Sequence, residues 1–180
     1  KNDNFDFVDK EEFVKIWGEH NLLNLYASIL AARVLGVSDL EIKSRIGTLP
    51  QIKFRQEKVF ENDELEIYND TTATSPEATI AALQRFSAQK DNLILISGGT
   101  DRDLEFRNWA IKLKEIVAPK NLVLLRGSAT EKMKKELSFE KYNEFETLEL
   151  AEAHLQTLLK PWSGDEFVIL PIYSFSESAN

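Results

Sequence analysis

Three segments concentrate side chains that hold small anions and polar ligands: Asn69-Asp70-Thr71-Thr72-Ala73-Thr74-Ser75-Pro76, Ser97-Gly98-Gly99-Thr100-Asp101-Arg102, and Pro171 to Ser176. In the first, an Asn, an Asp and three Thr precede a Ser-Pro pair that suits the start of a helix. Capping a helix takes one or two short polar side chains, so most of this set is surplus to capping, and the free amides of a helix start attract anions. In the second, paired glycines let the backbone approach a ligand, and Arg102 offers a guanidinium fork that matches a carboxylate or a phosphate. The plainer alternatives are a polar turn over 69–76, a simple turn at Gly98-Gly99, and surface pairing of Arg102 with Asp101, Asp103 or Glu105.

What is missing narrows the chemistry. None of the seven glycines precedes a Lys, which excludes a phosphate-binding P-loop, and Gly98-Gly99-Thr100 lacks the spacing of a dinucleotide fingerprint. There is no Gly-x-Ser-x-Gly elbow, and neither His lies in a local motif with Ser and Asp. With no Cys and only two His, thiolate catalysis, disulfides and zinc clusters are excluded. Twenty-two Lys and Arg against 30 Asp and Glu give a net charge of −8 with no basic cluster, which disfavours binding to nucleic acid. The apolar stretch Asn21 to Leu35 is broken by Asn24, Ser28 and Arg33 and is shorter than the roughly 20 residues of a membrane span. Lys1 to Asp6 lacks the apolar centre of a secretory signal. The expectation is a cytoplasmic protein without membrane contact.

At 180 residues, 43% hydrophobic and 29% charged, the composition fits one ordinary globular domain with its own core. Phe5, Phe7 and Val8 read as strand residues. A helix is predicted over Asn21 to Leu35, stopped at Gly36, and a second follows a Ser38/Glu41 capping box to about Arg45. Lys53 to Phe60 and Leu65 to Tyr68, joined by Glu61-Asn62-Asp63, form a β-hairpin, and a helix runs from Ser75-Pro76 to near Phe86. Strands at Leu93 to Ile96, Leu122 to Leu125, near Phe145, and Phe167 to Leu170 then alternate with helices at Leu104 to Val117, Ser128 to Leu137 and Leu148 to Leu159. Short apolar strands separated by helices mean a mostly parallel sheet covered on both faces, a Rossmann-like α/β domain preceded by two helices and a hairpin. Ligands in such sheets collect at the carboxyl ends of the strands, where the three polar segments fall.

Gly18-Glu19-His20-Asn21-Leu22-Leu23-Asn24, Arg55, Asn69-Asp70-Thr71-Thr72-Ala73-Thr74 with Pro76, Glu77 and Ala78, and Gly98-Gly99-Thr100-Asp101-Arg102 follow one another in an order and spacing that resemble the Mur ligase family. The resemblance runs from about Phe5 to Asn180 and matches the C-terminal portion of a three-domain enzyme. It is strongest to members that add D-glutamate to UDP-N-acetylmuramoyl-L-alanine in peptidoglycan precursor synthesis. It implies ATP-dependent, ADP-forming amide ligation: ATP phosphorylates a substrate carboxylate and an incoming amine attacks the acyl phosphate.

On this resemblance, residues 1–17 are the tail of a central ATPase domain, and 18–180 are the C-terminal domain, ending short of the family's usual C-terminus. The domain docks on its own ATPase domain, and the Mg2+ ligands and P-loop belong to regions outside this chain, so the piece is not active alone. Asn21 and Asn24 correspond to adenine contacts, Arg55 to a phosphate contact and Asp70 to a ribose contact. Thr72, Thr74, Arg102, Ser174 and Phe175 correspond to the amino-acid site. His20 is implied to be a hinge or packing residue, and Asn21 has helix N-capping as an alternative or added role. Thr72 and Arg102 stand where many members carry Lys, and Leu170 to Phe175 departs from the usual pattern. The alternatives are another amide ligase of the Mur/folylpolyglutamate synthetase superfamily and a noncatalytic interaction module.

Overall fold

Short polar residues and glycines punctuate the chain where its elements begin and end. The computed structural model describes residues 5–89, 92–159 and 167–174, the last of these by backbone alone. The chain divides into two compact units, Lys1–Gln51 and Ile52–Asn180.

The first unit is helical. The Asp9 carboxylate accepts the Glu12 amide hydrogen at 3.0 Å and starts helix α1 (Lys10–Trp17), which was not foreseen from the sequence. Residues 5–8 lead into it as a turn rather than a strand. The aromatic spacing there serves packing, since Phe5 stacks on Tyr26 with ring centroids 4.4 Å apart. A short 3-10 turn, Glu19–Asn21, leads into α2 (Leu22–Val34), which ends at left-handed Gly36. The predicted capping box is formed: Ser38 Oγ accepts from Glu41 N while Glu41 Oε2 accepts from Ser38 N, opening α3 (Asp39–Ile46). Val8, Phe13, Leu25, Ile29 and Ile42 make the unit's core.

The second unit is a six-stranded sheet: β1 (Glu57–Glu61), β2 (Leu65–Asn69), β3 (Leu93–Gly99), β4 (Leu122–Leu125), β5 (Asn143–Phe145) and β6 (Phe167–Ser174). Its order is β1-β2-β6-β3-β4-β5, parallel throughout except for the β1-β2 hairpin. Between the strands run α4 (Pro76–Arg85), α5 (Arg107–Ile116), α6 (Ser128–Leu137) and α7 (Leu148–Leu159). Side chains alternate across a strand, so Leu93, Leu95, Leu122 and Leu124 face one core with Leu83, Trp109, Leu113 and Met133 of α4, α5 and α6. Ile94, Ile96, Val123 and Leu125 face the other, with Ala151 and Leu155 of α7. Burial on both faces is why these strands read as unbroken apolar runs.

Four boundaries differ from expectation. The hairpin starts at Glu57 and not at Lys53, because Phe54 (φ 63°) and Gln56 (φ 46°) turn the chain into the left-handed region. Strand β3 extends through Gly98 and Gly99, and β6 through Pro171 to Ser174; these stretches pair with each other, Gly98 with Tyr173 and Gly99 with Ser174, instead of forming loops. Helix α5 begins at Arg107 rather than Leu104, after Asp103 takes a left-handed φ of 61°.

The start of α6 lies directly on the end of β3. A Cβ added to Gly127 would stand 2.1 Å from the Gly99 carbonyl oxygen, and one added to Gly98 (φ +135°) 2.2 Å from that of Leu125. Gly127→Ala must therefore push two backbones apart, and we expect it to destabilise the chain by about 1–3 kcal/mol. Gly47, with φ −69° and open space around it, is the matched control and should tolerate Ala without loss. Thermal unfolding of the two variants checks this; equal midpoints would refute the close backbone contact.

Candidate functional site

Parallel pairing fixes where the polar segments go. β2, β6 and β3 are neighbours that run in one direction, so the residues after Asn69 and after Gly99 leave the same edge of the sheet. The backbone of Ser174 stands beside Gly99 at that edge. Phe175 lies outside the described residues.

At the end of β2, Asp70 is 2% exposed. Its Oδ1 accepts the Gln56 amide hydrogen at 3.0 Å, while Oδ2 is buried and finds no hydrogen-bond partner among the described residues. Burial pushes the carboxyl pKa up to about 6, against the opposing pull of the Gln56 amide and the charges of Arg55 and Arg85. The next loop is tied to the turn that carries Arg55: Thr72 donates both its amide (3.0 Å) and its hydroxyl (2.8 Å) to the Phe54 carbonyl. Arg55 itself is exposed. From the last turn of α4, Arg85 donates to Gln56 Oε1 at 3.0 Å and lies over the rings of Tyr68 and Phe86.

Farther along the same edge is a small open cleft. Its lining includes Thr74, Ser75 and Thr79, Ser97 and Gly98 of β3, Thr100 and Arg102, and Ala129 and Met133 of α6. Ser75 accepts from Ala78 N and caps α4, as its type and its Pro76 neighbour predict. Surface pairing of Arg102 with its neighbours is not what forms. Lys132 of α6 engages both Asp101 (2.6 Å) and Asp103 (3.4 Å), and Ser128 Oγ accepts from Asp101 N at 2.9 Å. The Lys132 contact holds the Asp101 carboxyl below its ordinary pKa. Among the described residues Arg102 forms no ion pair, and its side chain borders the cleft.

In the first unit, Asn21 Nδ2 donates to the Trp17 carbonyl at 2.7 Å and meets His20 Nε2 at 3.0 Å. Asn24 Nδ2 donates to Asn21 Oδ1 at 3.0 Å, so the two amides stack on one face at the start of α2. Asn21 does not cap that helix with its side chain; its NH2 group is turned back to the preceding turn. Among the described residues no group of three or more His, Cys, Asp or Glu is arranged to hold a metal, and no helix is long and apolar enough to cross a membrane.

No family model matches the chain. It is 40% identical over 124 residues to UDP-N-acetylmuramoylalanine--D-glutamate ligase of Roseiflexus sp. (strain RS-1), a match covering 69% of this chain and 26% of that protein. To the ligase of the same name from Prochlorococcus marinus (strain MIT 9312) it is 34% identical over 145 residues, covering 79% of this chain and 30% of the other. Among solved structures it is similar to UDP-N-acetylmuramoylalanyl-D-glutamyl-2,6-diaminopimelate--D-alanyl-D-alanyl ligase from Acinetobacter baumannii, with TM-score 0.68 at 22% identity over 87% of this chain and 34% of that one. It also resembles a bifunctional folylpolyglutamate synthase/dihydrofolate synthase from Yersinia pestis complexed with AMPPNP and Mn ion, with TM-score 0.54 at 18% identity over 83% of this chain and 35% of that one. The chain belongs to the Mur ligase family. It spans about a quarter to a third of the length of its curated relatives.

In this Mur ligase chain the residues singled out from the sequence fall into separate groups. Thr74 and Arg102 border the cleft, whereas Thr72 spends its hydroxyl hydrogen on a backbone carbonyl and is not among the lining residues. Arg55 and Asp70 are linked through Gln56, and Asn21 and Asn24 hold each other in the first unit. Sequence reasoning missed Gln56, Arg85 and Lys132. Gln56 and Arg85 are 29 positions apart, and nothing local in either segment marks the pair.

Asp70 gives a pH signature. A carboxyl with pKa about 6 when folded, against a value near 4 when unfolded, binds its proton more tightly in the folded state. Stability therefore falls as pH rises from about 4 to about 6 and is level above that, at a cost near neutrality of about 3 kcal/mol. Asp70→Asn keeps an oxygen for the Gln56 amide and removes the charge. We expect it to match the unmodified chain at pH 4 and to exceed it by about 2–3 kcal/mol at pH 7.5 in urea unfolding. The same difference at both pH values would contradict the buried-charge account.

Proposed function

We propose that this chain is the C-terminal, nucleotide- and amino-acid-binding domain of an ATP-dependent ligase that joins D-glutamate to UDP-N-acetylmuramoyl-L-alanine in the cytoplasm. One observation carries the reading: Lys132 engages the acids that flank Arg102, which leaves a guanidinium on the edge of a hydroxyl-lined cleft. That arrangement suits the carboxylates of a dicarboxylic amino acid. The 40% identity to a ligase named for D-glutamate supports that amino acid over others.

In the proposed reaction a substrate carboxylate takes the terminal phosphoryl group of ATP, releasing ADP, and the amino group of D-glutamate attacks the acyl carbon, so that the amide forms as inorganic phosphate and a proton of the amine leave. Asp70 fits a ribose: its Oδ2 is a buried carboxylate oxygen with no donor among the described residues, and a sugar hydroxyl is a donor of the right kind. Arg55, exposed and next in sequence to Gln56, whose amide binds Asp70, takes the phosphates, and Asn21 and Asn24 read the adenine edge with their amides. Thr74 and Arg102, with Ser174 and Phe175, hold the amino acid; Thr72 serves the site by fixing the turn before Arg55. Mg2+ is held by regions outside this chain. Residues 1–17 continue from a central ATPase domain, 18–180 dock on it, and closure of the two excludes water from the acyl phosphate.

Kinetics of the full-length ligase test the amino-acid assignment. Arg102→Ala should raise the D-glutamate KM by about one to two powers of ten, with Arg102→Lys in between and the ATP KM nearly unchanged. An unaltered D-glutamate KM removes Arg102 from the site.

A further inference from the structure

Arg55 sits between two non-glycine residues in left-handed backbone, Phe54 at φ 63° and Gln56 at φ 46°. Such a turn persists only where its surroundings over-determine it. The surroundings here are specific. The Phe54 carbonyl accepts twice from Thr72, and its amide donates to Glu57 Oε2 at 2.8 Å. Gln56 is 5% exposed although residues 51–55 before it are all exposed, so it is the buried anchor of the turn. Its backbone amide is spent on Asp70 Oδ1 and its side-chain oxygen on Arg85. Arg85 is in turn held over two aromatic rings, 5.5 Å from the centroid of Tyr68 and 5.0 Å from that of Phe86.

We infer that Gln56 and Arg85 are positioning residues that lock the Arg55 turn to Asp70, so that the two act as one preformed grip on a nucleotide. The inference rests on the proposed reading of Arg55 and Asp70 as nucleotide contacts. Asp70 is fixed by the sheet edge, and without the link Arg55 would ride on a surface turn. With the link, the guanidinium starts from a set place relative to the carboxylate, and less freedom is lost on binding. Arg suits the outer position because a planar guanidinium can stack on rings while donating in its own plane, which an ammonium does not do.

The test is a set of variants in the full-length ligase. Gln56→Leu removes the acceptor for Arg85 and keeps the backbone amide that Asp70 uses. It should raise the ATP KM about tenfold and leave the D-glutamate KM unchanged, and Gln56→Glu, which restores an acceptor, should recover most of the loss. In an Arg55→Ala background, Gln56→Leu should add nothing further to the ATP KM. Should Gln56→Leu not fold, Arg85→Lys gives the same readout, with the ring stacking weakened and the charge kept. If Arg55→Ala itself leaves the ATP KM unchanged, the reading of Arg55 as a phosphate contact fails and the inference with it. If Arg55→Ala raises it while Gln56→Leu and Arg85→Lys do not, or if their effects add to that of Arg55→Ala, the positioning role alone is overturned.

Discussion

The candidate site depends on the insertion of β6 between β2 and β3, parallel to both. Parallel neighbours send their following segments off one edge of the sheet, so the residues after β2 and after β3 and the end of β6 meet there whatever their separation in sequence. The price of a parallel arrangement is burial on both faces, which α4, α5 and α6 provide on one side and α7 on the other. Close contact at the edge follows from glycine: with no side chain at Gly98 or Gly127, the start of α6 comes down on the end of β3 and delivers Ser128 and Lys132 to the loop around Arg102.

Charge pairing then decides which groups remain for a ligand. In a chain of net charge −8, a cation beside acids in sequence would ordinarily be consumed by them. Lys132 takes Asp101 and Asp103 from a different helix, and Arg102 is left bordering the cleft. Asp70 shows the complementary case. It is buried with one oxygen satisfied by a backbone amide and the other by nothing among the described residues, a cost that an inward-facing hydroxyl from a ligand would relieve.

Much of the fold was legible in local chemistry. The capping box at Ser38, the Ser75-Pro76 helix start, and the apolar runs at Leu93 and Leu122 each carry their own signal, and each formed where the residue types place it. The errors fell where partners distant in sequence decide. Gly98-Gly99 and Pro171 to Ser174 read as loops, yet each completes the other's ladder. Lys53 to Gln56 read as strand, and hydrogen bonds from Thr72 and to Asp70 turn it instead. At the candidate site, residue types able to hold a ligand were visible at Asp70, Thr74 and Arg102. Their supports Gln56, Arg85 and Lys132 were not, because a supporting residue is defined by what it touches.

On the proposed function, Arg102 and the hydroxyls around it select an acidic amino acid for ligation. Release of ADP by the full-length enzyme, with UDP-N-acetylmuramoyl-L-alanine as the acceptor, measured for D-glutamate against L-glutamate, L-lysine, L-alanine and glycine, tests it most directly. ADP release with D-glutamate should stand well above that with every other amino acid. Release that is supported by a neutral or basic amino acid, and not by D-glutamate, would contradict it.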